Sequence, residues 1–250
     1  MAAKLLFQID SYMKEFEGVV TKVDGNKVYL NQTAFHPGPF GGLAADTGFI
    51  ELKKNTHKIK VLDVKMEENE EVAHYLENTD NISLGDEIKG YIDWEKRYTM
   101  MKLHTASHIL SSVMYNKYGA KITGGHIDYE SAKDDFDLTN VSDWKKALLD
   151  AVEETNNLIK KCVEVKIYWL PRDEAMKIPG IIKLAEKMPP SVDKFRVVEI
   201  TGIDLQADGG PHVKNTCEIG KIKVINVENR GKTKKRIYYT VGWLSNDFNK

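Results

Sequence analysis

The sequence has little cysteine, no long hydrophobic run and almost no net charge. It contains 250 residues with two cysteines, and 36 Lys and Arg stand against 37 Asp and Glu, a formal net charge of −1. Two cysteines cannot build a disulfide framework, so a reducing cytoplasm is the expected compartment. No apolar run approaches the ~18 residues that span a membrane, and charged residues interrupt the apolar N-terminal segment. We therefore expect no membrane partner, no disulfide partner and no secretory signal.

The charge is unevenly distributed along the chain. Residues 214–250 contain nine Lys and Arg against three acidic residues, whereas residues 1–213 contain 27 against 34. Five of the cations lie within seven residues, which we call the basic tip: Arg230, Lys232, Lys234, Lys235 and Arg236. Such a segment either binds nucleic-acid phosphates or is a solvated hairpin turn whose cations protect a sheet edge.

Up to about residue 95 the pattern is typical of β-structure. Short apolar segments recur at 18–23, 27–30, 48–52 and 58–64. Turn sequences such as Asp24–Asn26 and Pro37–Pro39 separate them. Many short strands joined by Gly and Pro turns predict a small β-barrel. Residues 1–95 are therefore predicted to form a β-barrel domain.

The pattern changes after residue 95. Apolar residues recur at helical spacing from Tyr98 to Tyr118, and Gly119 follows as a helix stop. A second helix is predicted from an N-cap at Ser142 to about Lys161. Strands are predicted at 122–129, 164–169, 195–200, 221–227 and 236–242. Without strict βαβ alternation, this predicts an α+β protein in which the barrel precedes a two-layer α/β domain, residues 96–250.

Two histidines four positions apart are the clearest candidates for chemistry. In His104-Thr105-Ala106-Ser107-His108 both imidazoles project from one helix face and can reach one metal ion. The alternative is one surface histidine and one packed histidine. The segment is not a zinc-protease motif, because Thr105 replaces the Glu that serves as general base.

A second candidate segment is Asp208-Gly209-Gly210-Pro211-His212. The adjacent glycines and the proline predict a tight loop whose backbone can approach a ligand closely. A plain turn with a polar rim is the alternative. Together the two segments offer three imidazoles and one carboxylate to a tetrahedral zinc ion, and three ligands with an open position are typical of catalytic zinc.

The two segments resemble the HxxxH…CxxxH zinc signature of the alanyl-tRNA synthetase editing domain. The whole chain resembles the free-standing relatives of that domain, the medium-length AlaX trans-editing proteins. The resemblance covers most of the chain and includes further segments at Thr33–Pro37, Gly41–Gly42, Asp46–Gly48, Trp94–His108, Thr123–Gly125, Asp135–Asp137 and Asn215–Gly220.

The resemblance implies an aminoacyl-tRNA deacylase that hydrolyses mischarged alanine tRNA. Serine is the implied substrate residue, glycine is a second candidate, and correctly charged alanine is left intact. The implied cofactor is Zn²⁺, with His104, His108, Asp208 and His212 as its ligands. The implied partner is alanine tRNA, recognised at its acceptor stem and aminoacylated 3′ end, and the basic tip becomes a candidate phosphate contact.

Two positions depart from the family pattern. Asp208 stands where the family has a cysteine, and Pro211 stands where it has a threonine. Because a carboxylate is a harder ligand than a thiolate, Asp208 is either a fourth ligand or a partner of a histidine ligand, and loss of the metal is a third outcome. Cys217 is a weaker candidate ligand, since it follows the last histidine. Cys162 is interpreted as a small packed residue.

Thr105 and Thr123 are the candidates for a hydroxyl that recognises the serine side chain, with Thr123 preferred. The metal can polarise the ester, generate hydroxide or orient the substrate, and the sequence does not choose among these roles. Two other functions stay open. One is a metal-bound RNA-binding module without activity, which the Asp208 replacement favours. The other is a small-ester hydrolase of the same fold, which has no use for the basic tip.

Overall fold

The computed structural model describes residues 2–68, 70–178, 181 and 193–242. Contacts within the chain define two compact units, Met1–Met100 and Met101–Lys250. We call them the N-terminal unit and the C-terminal unit, and each is described by itself. The boundary at residue 100 lies close to the predicted domain boundary at residue 95.

The N-terminal unit is a β-barrel with short additional elements. Its elements are β1 (Lys4–Leu5), α1 (Leu6–Ile9), β2 (Glu15–Asp24), β3 (Lys27–Leu30), β4 (Gln32–Thr33), β5 (Gly48–Leu52), β6 (Lys58–Met66), β7 (Val72–Leu76) and β8 (Glu87–Ile92). Antiparallel pairing closes a barrel in the order β2-β3-β7-β6-β5-β8. The prediction of a small N-terminal barrel is therefore confirmed.

Alternating side chains fill the barrel interior. In β2, buried Phe16, Gly18 and Val20 alternate with more exposed neighbours, the two-residue period of a strand that is buried on one face. Ile50 and Ile59, directly opposite each other on β5 and β6, are both fully buried. Burial of such cross-strand apolar pairs is the main stabilising contribution to a barrel of this size.

The histidine-bearing helix, α2, spans Trp94–Tyr118. It begins four residues earlier than the predicted Tyr98. The first helical hydrogen bond runs from Arg97 N to the Asp93 carbonyl, at 3.0 Å. It ends as predicted at Gly119, which adopts a left-handed φ of 63°. The predicted apolar face is confirmed, with these residues buried: Met101, Ile109, Leu110, Val113 and Met114.

The C-terminal unit combines two antiparallel sheets with helices. Its further elements are β9 (Ile122–Ile127), β10 (Ala132–Asp137), α3 (Trp144–Ile159), β11 (Val165–Pro171), α4 (Arg172–Ala175), β12 (Lys194–Ile200), β13 (Asp204–Ala207), β14 (Lys221–Asn229) and β15 (Lys234–Gly242). One sheet has the strand order β14-β15-β10-β9, and the other has the order β11-β12-β13. The α+β fold class is confirmed. No helix in the described ranges is long and apolar enough to cross a membrane.

The N-cap predicted for α3 is wrong. The cap is Asp143 and not Ser142, because the Asp143 carboxylate accepts a hydrogen bond from Lys146 N at 3.0 Å. The helix ends at Ile159, two residues before the predicted end. Asn156 joins its last turns to β14, since its side chain donates to Ile222 O and accepts from Ile222 N at 3.1 and 2.8 Å.

Candidate metal centre

Three imidazoles and one carboxylate meet in the C-terminal unit. His104 and His108 lie one turn apart on α2, and Asp208 and His212 lie in the loop after β13. One ligand atom from each of the four residues lies within 4.8 Å of the others. These residues therefore form a group that can hold a metal ion.

The carboxylate of Asp208 is surrounded by the same nitrogen of all three rings. One oxygen, Oδ2, lies 3.6 Å from His104 Nε2 and 3.9 Å from His108 Nε2. The other oxygen, Oδ1, lies 3.3 Å from His212 Nε2. The imidazole rings are themselves in contact, with centroids separated by 4.0 to 4.8 Å. Three Nε2 atoms and a carboxylate thus converge on one point.

The opposite nitrogen of each ring, Nδ1, has its own partner. His104 Nδ1 lies 3.2 Å from the carbonyl oxygen of Pro211, and His212 Nδ1 lies 3.0 Å from the hydroxyl of Thr105. His108 Nδ1 lies 3.3 Å from the carboxylate of Asp204. For His104 and His212 the acceptors at Nδ1 favour the tautomer that carries its hydrogen there, which leaves Nε2 with a lone pair for a metal.

Thr105 holds His212 in place. Its hydroxyl donates to the Met101 carbonyl at 3.0 Å, lies 3.0 Å from His212 Nδ1, and accepts from Val213 N at 3.3 Å. The side chain is fully buried. These contacts engage the hydroxyl completely. Thr105 therefore orients a candidate metal ligand.

Thr123, the preferred candidate for serine recognition, lies on β9 and is exposed. Its hydroxyl donates to the carbonyl oxygen of Asp135 at 3.3 Å, a long hydrogen bond. The structure brings the four candidate ligands, three histidines and one aspartate, together as a group. Its role in substrate recognition stays a prediction.

Burial and charge set the protonation states at the centre. Burial lowers the pKa of His108 and, more strongly, that of His212, so both rings are neutral at physiological pH. Burial alone raises the pKa of Asp208, but the neighbouring His104 and His212 side chains outweigh it and hold that pKa well below its usual range. An ionised carboxylate beside the neutral rings of His108 and His212 is the ligand state that binds a cation.

Gly210 is required by the close approach of the loop to α2. A Cβ added there would lie 2.7 Å from Cε1 and 3.0 Å from Nδ1 of His104. Any side chain at this position would therefore displace the first histidine of the group. The double glycine was expected to let the backbone approach a bound molecule closely. In the structure the backbone approaches the imidazole of His104, a candidate metal ligand.

The donor set fits a divalent transition metal. Imidazole nitrogens suit Zn²⁺ and its neighbours in the first row, and a carboxylate oxygen completes a four-residue set. The partners at Nδ1 also match the outer hydrogen bonds that orient ligands in metal sites. The chemistry of these side chains thus agrees with the family expectation, with oxygen in place of sulfur.

The interpretation of Cys162 as a small packed residue and the expectation of no disulfide partner are both wrong. Cys162 is exposed and forms a disulfide with Cys217, with Cα atoms 4.7 Å apart. The disulfide also removes Cys217 as a thiolate ligand. The two residues meet because the chain segments beside them pair: Thr216 N donates to Val163 O at 3.0 Å, and Val163 N donates to the Thr216 hydroxyl at 3.1 Å.

Sequence reasoning missed Asp204 and Gln206 on β13. The Gln206 amide nitrogen lies 2.5 Å from His108 Nδ1 and 2.9 Å from the Asp204 carboxylate. The sequence signal that could have indicated them is their spacing. Asp204 and Gln206 are two positions apart, so on a strand they share one face, and the strand leads directly into the loop that carries Asp208.

The basic tip comprises the turn between β14 and β15 and the first three residues of β15, and its cations differ in their surroundings. Lys235 is buried, and its ammonium donates to Asn229 Oδ1 at 2.8 Å and to the carbonyls of Gly231 and Lys232. Arg236 forms two hydrogen bonds with Asp135, at 2.6 and 2.8 Å. Lys235 therefore stabilises the hairpin turn, and Arg236 connects β15 to β10.

The other three cations of the basic tip are more accessible. Lys232 is exposed, and the side chains of Arg230 and Lys234 are 50% and 44% exposed. Arg230 lies 3.7 Å from Glu228, a separation at which a surface ion pair contributes little. Lys234 lies 3.7 Å from the buried carboxylate of Asp135, which Arg236 already binds at 2.6 and 2.8 Å. The three side chains are available to a polyanion.

A comparison with known proteins identifies the class of domain in the C-terminal unit. Residues 195–238 match the model of the threonyl and alanyl tRNA synthetase second additional domain. This range includes all of β12 except Lys194, together with β13, Asp208 and His212. The C-terminal unit therefore contains a synthetase-type additional domain, and its loop contributes two residues to the candidate metal centre.

Relatives that match along nearly their whole length identify the family. The chain is 52% identical over 236 residues to the alanyl-tRNA editing protein AlaX-M of Saccharolobus solfataricus, covering 94% of this chain and 98% of that protein. It is 37% identical over 241 residues to AlaX-M of Methanosarcina barkeri, with coverage of 94% and 98%. The alanine–tRNA ligase of Methanococcus aeolicus is 32% identical over 246 residues, which are 96% of this chain and 26% of the ligase. The chain belongs to the AlaX-M family of alanyl-tRNA editing proteins.

Proposed function

We propose that this protein hydrolyses mischarged alanine tRNA in the cytoplasm, with serine as the main amino acid removed and glycine as a second. The proposal includes a Zn²⁺ ion held by His104, His108, Asp208 and His212. Family membership makes the chain a trans-editing deacylase that acts on tRNA. The observation that carries the finer proposal is the convergence of three Nε2 atoms on the Asp208 carboxylate within one buried group.

The reaction is the hydrolysis of an aminoacyl ester. Water adds to the acyl carbon and the bond to the ribose oxygen breaks, so the amino acid leaves as the free acid and the tRNA regains its terminal hydroxyl. Because this ester is already activated, a positioned water and stabilisation of the developing oxyanion are sufficient help. A bound divalent ion supplies Lewis-acid charge at this centre.

The side chains of the centre orient the ion and tune the site. The hydrogen bonds at Nδ1 direct the three rings, and burial keeps His108 and His212 neutral. The Thr123 hydroxyl is proposed to recognise the serine side chain, since it can exchange its long bond to Asp135 O for one to the substrate. A site that binds a hydroxyl in this way rejects alanine, which lacks it.

The ester-hydrolysis proposal is tested with alanine tRNA charged with serine or with alanine. The wild type is expected to release serine and to leave the alanine ester largely intact. A His104→Ala/His108→Ala variant is expected to match buffer alone, because two of the four ligands are gone. Elemental analysis of the same preparations should find about one zinc per chain in the wild type only.

His57→Ala is the matched control, since His57 is exposed in the N-terminal unit and lies outside the metal group. It should retain wild-type release of serine. Equal decay of the serine ester with wild type, double variant and buffer would contradict the enzymatic proposal. Binding of tRNA without ester loss would instead favour an inactive RNA-binding module, and hydrolysis of small esters alone would favour a small-ester hydrolase.

For the tRNA contact we propose Arg230, Lys232 and Lys234, which bind acceptor-stem phosphates. Lys235 and Arg236 act indirectly, because the Lys235 hydrogen bond to Asn229 within the hairpin and the Arg236 hydrogen bonds to Asp135 on β10 maintain the shape of the basic tip. Phosphate contacts of this kind are independent of sequence and sensitive to salt.

A Lys232→Glu/Lys234→Glu variant is expected to bind alanine tRNA more weakly. The plot of log affinity against log salt concentration should become less steep by about one for each phosphate that the variant no longer neutralises. Lys160→Glu/Lys161→Glu, at the exposed end of α3, makes the same change in net charge elsewhere. Filter binding at several salt concentrations separates the two variants, and equal weakening in both would leave the basic tip as a solvated turn.

A further inference from the structure

Arg196 is a buried arginine of β12 whose partners are backbone groups of the metal loop. It is 5% exposed. Burying a guanidinium group is unfavourable unless hydrogen bonds and nearby negative charge compensate for its lost hydration. The hydrogen-bond partners of Arg196 therefore indicate its structural role.

Arg196 contacts the loop at three points. Its Nη1 donates to the carbonyl oxygens of Asp208 and Gly210, at 2.8 and 2.9 Å. Its own carbonyl accepts from Asp208 N at 3.0 Å. One residue thus binds both ends of the Asp208–Gly210 segment, immediately before Pro211 and His212.

The loop needs such a restraint. Two adjacent glycines leave its backbone with more conformational freedom than any other residue pair would. Within the loop, Gly210 N donates to Asp208 Oδ1 at 2.7 Å. The contacts of Arg196 fix the same residues from outside. Without the guanidinium group, two carbonyls of the loop would lose charge-assisted hydrogen bonds.

The guanidinium binds carbonyl oxygens of the loop and leaves the Asp208 carboxylate facing the imidazoles. The carboxylate oxygens lie 3.3 to 3.9 Å from the three Nε2 atoms. A salt bridge in the usual forked geometry would occupy those oxygens. The positive charge of Arg196 nevertheless compensates electrostatically for an ionised carboxylate in a buried site.

We propose that Arg196 is a positioning residue of the metal centre, which fixes the Asp208–Gly210 backbone so that Asp208 and His212 meet the two histidines of α2. This inference rests on the metal ion of the proposed function. Arg196 touches neither the ion nor the substrate. Its effect reaches the ion through the two ligands of the loop.

The test compares Arg196→Met and Arg196→Lys with the wild type, using Co²⁺ as a spectroscopic probe of the metal-free protein. We expect Arg196→Met to bind Co²⁺ about 10- to 100-fold more weakly, the range typical for loss of a partner that orients a ligand. Its visible absorption band should shift or lose intensity, since the ligand geometry changes. The Co²⁺ affinity of Arg196→Lys should lie between those of the wild type and Arg196→Met, because an ammonium group keeps the charge but cannot reproduce the planar guanidinium contacts.

The melting temperature, measured with and without Co²⁺, distinguishes a role of Arg196 in positioning the ligands from a role in the stability of the fold. A role in positioning predicts a smaller rise in melting temperature on adding Co²⁺, because this rise depends on affinity for the folded state. A role in stability alone would lower the melting temperature with and without Co²⁺ by equal amounts. The matched control is Arg172→Met, since Arg172 packs over Phe195, the neighbour of Arg196 on β12, with its guanidinium carbon 5.4 Å from the ring centroid.

The outcomes distinguish this inference from the proposed function. Wild-type Co²⁺ affinity and absorption in Arg196→Met would overturn the positioning role and leave the metal centre intact. Equal loss of affinity in Arg172→Met would overturn it as well. A wild type that binds no Co²⁺ would contradict the metal centre itself. If Arg196→Met fails to fold, unchanged Co²⁺ binding by Arg196→Lys serves as the overturning result.

Discussion

Replacing Arg97 with methionine is expected to destabilise the N-terminal unit by about 3–5 kcal/mol, the cost of leaving one charge of a buried ion pair without its partner. Arg97 and Asp46 are 0% and 1% exposed. Nε of Arg97 lies 3.0 and 3.1 Å from the two carboxylate oxygens, and Nη2 also donates to Asp46. The pair is thus buried and connected by several hydrogen bonds.

The same guanidinium group joins separate segments of the unit. Arg97 donates to the carbonyl oxygens of Ser11 and Ala34, at 3.2 and 2.6 Å. Asp46 also accepts from His36 N at 2.5 Å. Loss of Arg97 therefore leaves a buried carboxylate and two carbonyl groups with fewer hydrogen bonds.

Urea denaturation and native-state hydrogen exchange of amides in β2–β8 would measure this loss in the N-terminal unit. An Arg97→Met/Asp46→Leu variant should be less destabilised than Arg97→Met alone, because it buries no unpaired charge. Lys96→Met is the control, since Lys96 is 37% exposed and lies 3.4 Å from Asp93, so a change within about 1 kcal/mol is expected. Equal effects of Arg97→Met and Lys96→Met would show that the ion pair contributes little.

Local sequence signals located most of the elements. The predicted bounds of β3 and β5 agree with the structure, because turn residues flank short apolar segments on both sides. The start of α2 was missed because buried Arg97 breaks the apolar period in its first turn. Strand β13 was missed because it has four residues, and two of them are the polar Asp204 and Gln206. Hydrophobic periodicity does not detect an element whose polar side chains point into a site.

The candidate metal ligands could be predicted from the sequence, but the residues that form hydrogen bonds with them could not. Spacing puts His104 and His108 on one helix face, and the glycine pair predicts the tight loop that carries Asp208 and His212. The family resemblance then supports all four residues as ligands. The partners of the rings come from distant positions: Thr105 holds His212 across 107 residues, and Pro211 accepts from His104 across the same separation. Arg196 has the sequence surroundings of an ordinary exposed strand residue. Such contacts depend on tertiary packing, which local patterns do not encode.

Reduction of the Cys162–Cys217 disulfide is expected to destabilise the C-terminal unit by about 4 kcal/mol in the chain-entropy model, since the bond closes a separation of 55 residues. For a unit of this size the loss corresponds to a fall in melting temperature of about 10 °C. The fold itself should survive, because hydrogen bonds already join the two segments. Asn215 Nδ2 donates to Cys162 O at 3.0 Å, and Val165 N donates to Lys214 O at 2.9 Å.

Calorimetry of the wild type with and without a phosphine reductant measures the change, and a Cys162→Ser/Cys217→Ser variant is the control. The variant should melt near the reduced wild type and should not respond to the reductant. Thiol titration of unfolded protein should detect the two cysteines only after reduction. Free thiols before reduction, or an unchanged melting temperature, would contradict the expectation. Because Thr216 and Asn215 still hold the chain after His212, reduction should lower stability far more than metal affinity.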